Sequence, residues 1–132
     1  MIALLPFDIA YGYDALAILE VKRSKGSNTS VQESFERFHN ILRGQVGESK
    51  HALILCSPEY RRLVEVNERL FDAFDWLHTA GVTAPAEEVK RQAIETDRIN
   101  GVDRPATKRA LQEKWFGASL TEVKLGYTET KS

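Results

Sequence analysis

The stretch SPEYRRLVEVNERLFDAFDWLH, residues 57–78, decides the fold class of this sequence. Ser57 followed by Pro58 is a favourable helix start, because the serine hydroxyl can cap the helix and proline fits its first position. No glycine or second proline follows before Gly81. The apolar residues recur at the three- and four-residue spacing of one helical face: Leu63, Val66, Leu70, Phe74 and Leu77. This pattern predicts an amphipathic helix that runs to about Thr79.

The sequence before this stretch predicts two more helices and one ambiguous segment. Asp8 can cap a first helix that runs to about Arg23. Ser30 can cap a second helix, and Glu33 lies three residues later, at the spacing of a capping box. The apolar residues 51–56 fit either a short strand or extended segment, or the start of a helix, because periodicity does not separate the two in so short a run.

The sequence after this stretch predicts two further helices. We expect one helix from Pro85 to about Asn100, where Gly101 interrupts it. Asp103 can then cap a last helix, which should reach about Trp115. Short connections favour antiparallel neighbours. The expected fold class is therefore all-α, an antiparallel helical bundle of about four or five helices.

Length and charge limit the class of protein. The chain has 132 residues, enough for one core. We expect a single helical domain over residues 1–127, in which residues 119–127 pack back on the bundle, and a frayed tail at residues 128–132. Eighteen basic residues against nineteen acidic ones give a formal net charge of −1. This balance argues against a partner nucleic acid, because binding to phosphates usually needs an excess of basic residues.

Targeting and cysteine chemistry point to the cytoplasm. The apolar start, residues 1–6, is short and lacks a basic leader, and no apolar run is long enough to span a bilayer. We therefore expect a cytoplasmic protein with no membrane partner. Cys56 is the single cysteine, and its apolar neighbours predict a small buried residue. His39, His51 and His78 are scattered without zinc-ligand spacing.

The central helix also carries an acidic ladder on one face: Glu65, Glu68, Asp72 and Asp75. This spacing is similar to that of the paired acids that hold magnesium in all-α nucleotide pyrophosphohydrolases, and oxygen ligands suit magnesium. At about 100° per residue, however, the ladder lies opposite the apolar stripe, as a solvated face does. We therefore predict no cofactor. Magnesium stays the alternative, since a homo-oligomer could close this face into a site.

Two polar residues fall on apolar helix faces, where carbon is expected. Glu20 lies in register with the apolar residues of the first helix, and Asn67 with those of the central helix. A buried carboxylate is costly unless it is paired. The basic candidates to pair with Glu20 are Arg104, Lys108 and Arg109 on the last helix. The cluster could be a salt bridge that fixes helix register or the wall of a ligand pocket, and both interpretations stay open.

Three blocks of the sequence carry a family resemblance. They are DALAILEVK at 14–22, VNERLFDAFD at 66–75, and the basic residues of 104–109 followed by GASLTEVKLGY at 117–127. In order and spacing they resemble a family of short bacterial and phage proteins catalogued as domain of unknown function 6165. The chain departs at Ala15 and Phe74, where the family has Lys and Glu. The resemblance supplies no activity, but it implies that seven residues matter together: Asp14, Glu20, Asn67, Asp72, Asp75, Arg104 and Lys108.

Three hypotheses for the function follow. The first is a binding or accessory module that binds a small polar ligand or a protein partner. In this hypothesis Arg104 makes a two-pronged contact to a carboxylate or phosphate of the ligand, Lys108 adds positive charge, and Asn67 orients the ligand. The second is a metal-dependent hydrolase of nucleotide or sugar-nucleotide diphosphates that uses the acidic ladder. The third is a structural or assembly subunit of a phage or larger complex. The sequence contains no catalytic signature that would decide whether the protein is an enzyme.

Overall fold

The computed structural model describes residues 7–26 and 28–118, and within them all regular secondary structure is helical, with no strand. A 3₁₀ turn at Ala80–Val82 follows the fourth helix, and a π-helical turn at Ile99–Asp103 joins the last two without a break. The helices are α1 (Ala10–Gly26), α2 (Thr29–Val46), α3 (Glu48–Leu55), α4 (Pro58–His78), α5 (Ala86–Arg98) and α6 (Arg104–Phe116). Because α5 and α6 continue into each other as one rod, the predicted all-α bundle of about four or five helices is confirmed.

The helix α4 forms as its sequence predicts. The Tyr60 amide donates to Ser57 Oγ at 3.2 Å, and Pro58 takes the first helical position. The helix ends at His78, and the Thr79 amide donates back to the Asp75 carbonyl. Both ends are thus set by local hydrogen bonds that the sequence already encodes.

The start of α2 is not where it was predicted. Asn28 Oδ1 accepts the Val31 amide at 2.9 Å, so Asn28 caps the helix. Ser30 lies inside the first turn, and the predicted Ser30–Glu33 capping box is wrong. Asparagine is at least as good a cap as serine, and the earlier start adds helical residues.

The ambiguous segment at residues 51–56 is helical, because it forms most of α3. The strand alternative is therefore wrong. His51 and Ile54 point into the core, whereas Cys56, just after the helix, is exposed. The prediction that Cys56 is a buried residue is also wrong.

The chain does not break at Gly101 as predicted. Residues Ile99–Asp103 form a π turn, and Asp103 has helical angles of φ −68° and ψ −46° with no capping bond from its side chain. A π turn holds one more residue than an α turn, so it changes which face of the rod looks inward without interrupting the hydrogen bonds. Gly101 and Asp103 therefore continue the helix instead of ending one and capping another.

The core forms where α1 meets α2, α4 and α6. α1 approaches α2 closely at Gly12, where an added Cβ would lie 2.9 Å from Leu42 Cδ2 and the leucine side chain would have to shift. Because three helices surround α1, it buries two stripes instead of one. The fully buried large side chains include Tyr13, Leu16, Ile54, Tyr60, Leu63 and Leu111.

Residues 1–6, 27 and 119–132 lie outside the described part of the chain. The predicted packing of residues 119–127 and the tail at residues 128–132 belong to this part. Among the helices that are described, none has the length and apolar character to cross a membrane.

Candidate functional site

Asp14 and Asn67, which are buried, and Arg104, which is partly exposed, form one polar cluster that joins three helices. Arg104 Nη2 donates to Asp14 Oδ2 at 2.7 Å, and Arg104 Nε donates to Asp14 Oδ1 at 3.3 Å. Asn67 Nδ2 donates to the same Asp14 Oδ1 at 2.9 Å. The Asp14 carboxylate thus accepts three hydrogen bonds, two of them in the fork geometry that arginine favours. We name this set the Asp14 cluster.

Helix geometry places each member of the Asp14 cluster. Asp14 lies on the second buried stripe of α1, one turn after Ala10 and one turn before Ala17. Arg104 is the first residue after the π turn, and its Nη1 donates to Asn100 Oδ1 at 3.1 Å. The π turn therefore fixes the guanidinium from one side while Asp14 holds it from the other. The two formal charges cancel, so the cluster has no net charge.

The Asn67 side chain has an acceptor that no described residue uses. Its Nδ2 donates to Asp14 Oδ1 and to the Leu63 carbonyl, each at 2.9 Å. Because both partners are acceptors, they fix which end of the amide is nitrogen. Asn67 is 4% exposed, yet within residues 7–26 and 28–118 no donor reaches its Oδ1. Such an unpaired buried oxygen costs about 1–3 kcal/mol.

A pocket of about 150 Å³ opens beside the Asp14 cluster. Asn67 and Arg104 are its polar lining residues, and they lie together because both contact Asp14. A cavity of about this volume holds one benzene ring. The arrangement can therefore bury one ring-sized apolar group with a polar substituent at one end. The remaining walls are apolar side chains of α1 and α4: Ile18, Val21, Leu70, Phe71 and Phe74.

Glu20 has partners other than the ones predicted. Its Oε1 accepts the Tyr60 hydroxyl at 2.9 Å, and its Oε2 lies 3.2 Å from Arg61 Nη2. The expectation that Arg104, Lys108 or Arg109 would pair with Glu20 is wrong. Glu20 is six residues beyond Asp14, which places it about 9 Å along α1 and about 240° around it. It therefore faces the start of α4, far from the Asp14 cluster.

Lys108 also lies apart from the Asp14 cluster. Its Nζ is 3.9 Å from the centre of the Tyr11 ring, a cation–π contact between α6 and α1. The predicted grouping of Lys108 with Asn67 and Arg104 is therefore wrong, since Lys108 begins the next turn of α6. The Nε and Nη2 groups of Arg104, which form its fork, donate to Asp14.

The acidic ladder on α4 is exposed, as the solvated-face interpretation predicts. Lys25 Nζ of α1 lies 3.2 Å from Glu68 Oε2 and 3.0 Å from Asp72 Oδ1, so a lysine bridges the ladder. Glu65 and Asp75 are exposed beside it. In the described ranges no group of three or more His, Cys, Asp and Glu side chains is placed to hold a metal ion.

The structure brings together two histidines that the sequence presents as scattered. The Tyr13 hydroxyl lies 2.7 Å from His51 Nδ1, and His51 Nε2 lies 3.0 Å from His39 Nδ1. Tyr13 and His51 are buried, and His39 is partly exposed. We name this chain of three side chains the Tyr13 relay. Its partners come from α1, α2 and α3, so only the tertiary fold aligns them. The one local signal is His39, which follows Phe35 by one helical turn and stacks on its ring.

Burial controls the protonation of the Tyr13 relay. Burial and the Arg43 and Arg23 charges lower the pKa of His39, against a smaller opposing effect of Glu36. Burial, His39 and Arg43 lower the pKa of His51. Burial raises the pKa of Tyr13 to about 12. The relay is therefore neutral at neutral pH, with one shared hydrogen between each pair of neighbours.

No protein-family model, no curated protein and no solved structure matches this chain. Its resemblance to the domain of unknown function 6165 family stays a prediction. Of the seven residues that this resemblance implies, Asp14, Asn67 and Arg104 share one cluster, and the others lie elsewhere. The function has to be argued from the geometry of that cluster.

Proposed function

We propose that this protein is a binding module for a small molecule, with its site in the pocket that ends on the Asp14 cluster. The observation that carries this proposal is the Asn67 Oδ1 atom, which is buried, lacks a donor among the described residues and belongs to a residue lining that pocket. A hydrogen bond from a ligand would remove the cost of leaving this oxygen unpaired.

The alternative is a salt bridge that only fixes helix register. Asp14 and Arg104 alone would serve that purpose, because their paired contact already joins α1 to α6. An asparagine adds a second buried polar group, and its acceptor then needs a partner. The apolar pocket beside it supplies the room for one. These two features together favour binding over a purely structural cluster. We place the module in the cytoplasm, as the sequence predicts.

A thermal-shift screen of ring-sized alcohols, amides, carboxylates and amines tests this proposal. A compound at one hundred times its Kd stabilises the folded state by about 2.7 kcal/mol, which raises Tm by several degrees. Ile18→Phe fills the pocket, and Ile94→Phe makes the same change on the exposed face of α5. We expect the shift to vanish in Ile18→Phe and to persist in Ile94→Phe. If no compound raises Tm of the wild type, or if both variants respond alike, the pocket is not a binding site.

A further inference from the structure

The pocket beside the Asp14 cluster has no net charge to offer a ligand. Among the residues that the structure describes, Arg104 is the one charged residue that lines it, and the Asp14 carboxylate lies 2.7 Å from Arg104 Nη2. Lys108, one turn further along α6, is held over the Tyr11 ring. A carboxylate or phosphate that entered would lose its water without gaining an uncompensated positive charge. This balance disfavours an anionic ligand.

The hydrogen-bonding groups in the pocket disfavour anions a second time. Asn67 Oδ1 is an acceptor, so it requires a donor on the ligand, and a carboxylate has none. Two oxygen acceptors facing each other would repel. An ammonium group could donate to Asn67, but it has no acceptor for the N–H groups of Arg104 and would lose its water without gaining an uncompensated negative charge. Both kinds of ion therefore oppose one of the two polar residues.

A neutral group that donates and accepts matches both residues. Arg104 has five N–H donors, of which one reaches Asn100 and two reach Asp14, one from Nε and one from Nη2. Two N–H donors of Arg104 therefore have no acceptor among the described residues, and Arg104 lines the pocket together with Asn67. A hydroxyl or a primary amide offers the complementary pair of donor and acceptor in one small group.

The apolar walls define the rest of the ligand. Phe71 and Phe74 are 36% and 43% exposed, which places their rings at the open side of the pocket. Aromatic rings attract one another through edge-to-face contacts beyond their burial of area. The volume of about 150 Å³ suits a single six-membered ring.

We infer that the pocket binds an uncharged aromatic compound of one ring whose alcohol or primary amide group donates to Asn67 Oδ1 and accepts from Arg104. This inference rests on the proposed function and names the chemical class of its ligand.

A matched series of four probes tests the inference with the full chain. Benzamide is neutral and can donate and accept, benzoate is its anion counterpart, benzylamine is the cation, and toluene is the apolar control. Each is titrated at neutral pH while amide resonances of α1 and α4 are followed by two-dimensional NMR. We expect saturable shifts centred on Ile18 and Leu70, with benzamide binding about tenfold more tightly than the other three, the factor that about one hydrogen bond contributes.

The outcomes separate the ligand class from the binding site. If benzoate or benzylamine binds these same residues as tightly as benzamide, the inference about charge is wrong and the proposed function stands. If toluene equals benzamide, the polar groups of Asn67 and Arg104 do not select the ligand, and the inference is again wrong. If no probe shifts these resonances, the proposed function fails as well.

Two variants locate the contacts. Phe74→Ala removes an exposed wall residue without touching the Asp14 cluster, so all four probes should bind more weakly while the fold is kept. Asn67→Leu removes the acceptor, so it should bring benzamide to the level of toluene, and toluene binding itself reports that the variant is folded. A preference for benzamide that survives Asn67→Leu would overturn the inference.

Discussion

Asp14 is a carboxylate buried between three helices, and its charge is matched by the Arg104 guanidinium. Arg104→Ala would leave this charge with the Asn67 hydrogen bond alone among the cluster contacts. We expect a loss of about 3 kcal/mol in the free energy of unfolding, the lower end for breaking a buried pair, because a quarter of the Arg104 side chain is exposed. Urea unfolding at neutral pH measures this loss.

Two further variants control this experiment. Arg62→Ala removes an exposed arginine from α4 and should change stability by less than about 0.5 kcal/mol. The double variant Asp14→Leu with Arg104→Met removes both charges and should recover most of the loss, since an apolar pair of similar volume can replace a buried ion pair. A single Arg104→Ala variant as stable as the wild type would show that Asp14 does not depend on this pair.

The Tyr13 relay predicts that the protein loses stability in mild acid. The pKa of His39 and of His51 is lowered below 6.5 in the folded state, mainly by burial. As pH falls through 6.5, the unfolded chain therefore takes up protons that the folded protein does not. The stability is fully present above this pH and is lost as pH falls towards the folded pKa values. Urea unfolding between about pH 8 and pH 5.5 measures the slope.

Two histidine variants, one inside and one outside the Tyr13 relay, test the cause of this pH effect. His39→Gln removes one member of the Tyr13 relay and should reduce the loss of stability in acid. His78→Gln removes an exposed histidine at the end of α4, outside the Tyr13 relay, and is the matched control. Equal slopes in the wild type and in His39→Gln would mean that the relay does not cause the pH dependence.

For single residues, the sequence predicted burial in the core better than it predicted which side chains pair with each other. The apolar stripe of α4 placed Asn67 in the core, and it lies there. Helical register also marked Glu20, but the carboxylate that pairs with Arg104 is Asp14, which only the family resemblance had indicated. The cause is the burial of a second stripe on α1 by α6. One sequence does not show that a helix has neighbours on more than one side.

The π turn is the structural element that determines where Arg104 points. Inserting an alanine after Gly101 would add one residue more than the π turn already holds, and α6 would rotate by about 100° relative to α5. We expect this insertion to separate Arg104 from Asp14 and to cost at least as much stability as Arg104→Ala. The same urea unfolding series compares the two variants directly.

Gly101→Ala provides the control for the insertion. Nothing lies within 4 Å of a Cβ at this position, and Gly101 is not among the positive-φ glycines. Alanine should therefore stabilise the protein by about 0.5–1 kcal/mol through its higher helix propensity. If the insertion is no more harmful than Gly101→Ala, the π turn does not position Arg104.

The sequence predicted a helix boundary correctly where one local hydrogen bond determines that boundary. Ser57 and Pro58 start α4 as predicted, because the cap and the proline act within one turn. The predicted break at Gly101 was wrong, since packing of α5 and α6 on α4 holds the rod together through the glycine. Such long-range packing outweighs a local preference of about 1 kcal/mol.

On the scale of the whole molecule, burial is unevenly shared among the helices. Buried side chains are concentrated on α1 and α4, whereas α2 contributes Leu42 and α5 contributes Thr96. The length and composition of the chain predicted one core, but they could not predict which helices fill it. That choice depends on contacts between residues far apart in the sequence.

This uneven burial predicts two levels of hydrogen exchange. Amides in α1 and α4 should exchange only through global unfolding, and those of α2 and α5 through local opening at lower free energy. Leu42→Ala removes the one buried side chain of α2, whose contacts are lost in local opening and in global unfolding alike, so it should lower protection in α2 and in the core helices α1 and α4 by similar amounts. Leu63→Ala makes the same change in α4 and should lower the protection of α1 and α4 by about 2–5 kcal/mol, while the local opening of α2 keeps its free energy. Uniform protection across the helices in the wild type, or equal patterns in the two variants, would show that α2 unfolds only together with the core.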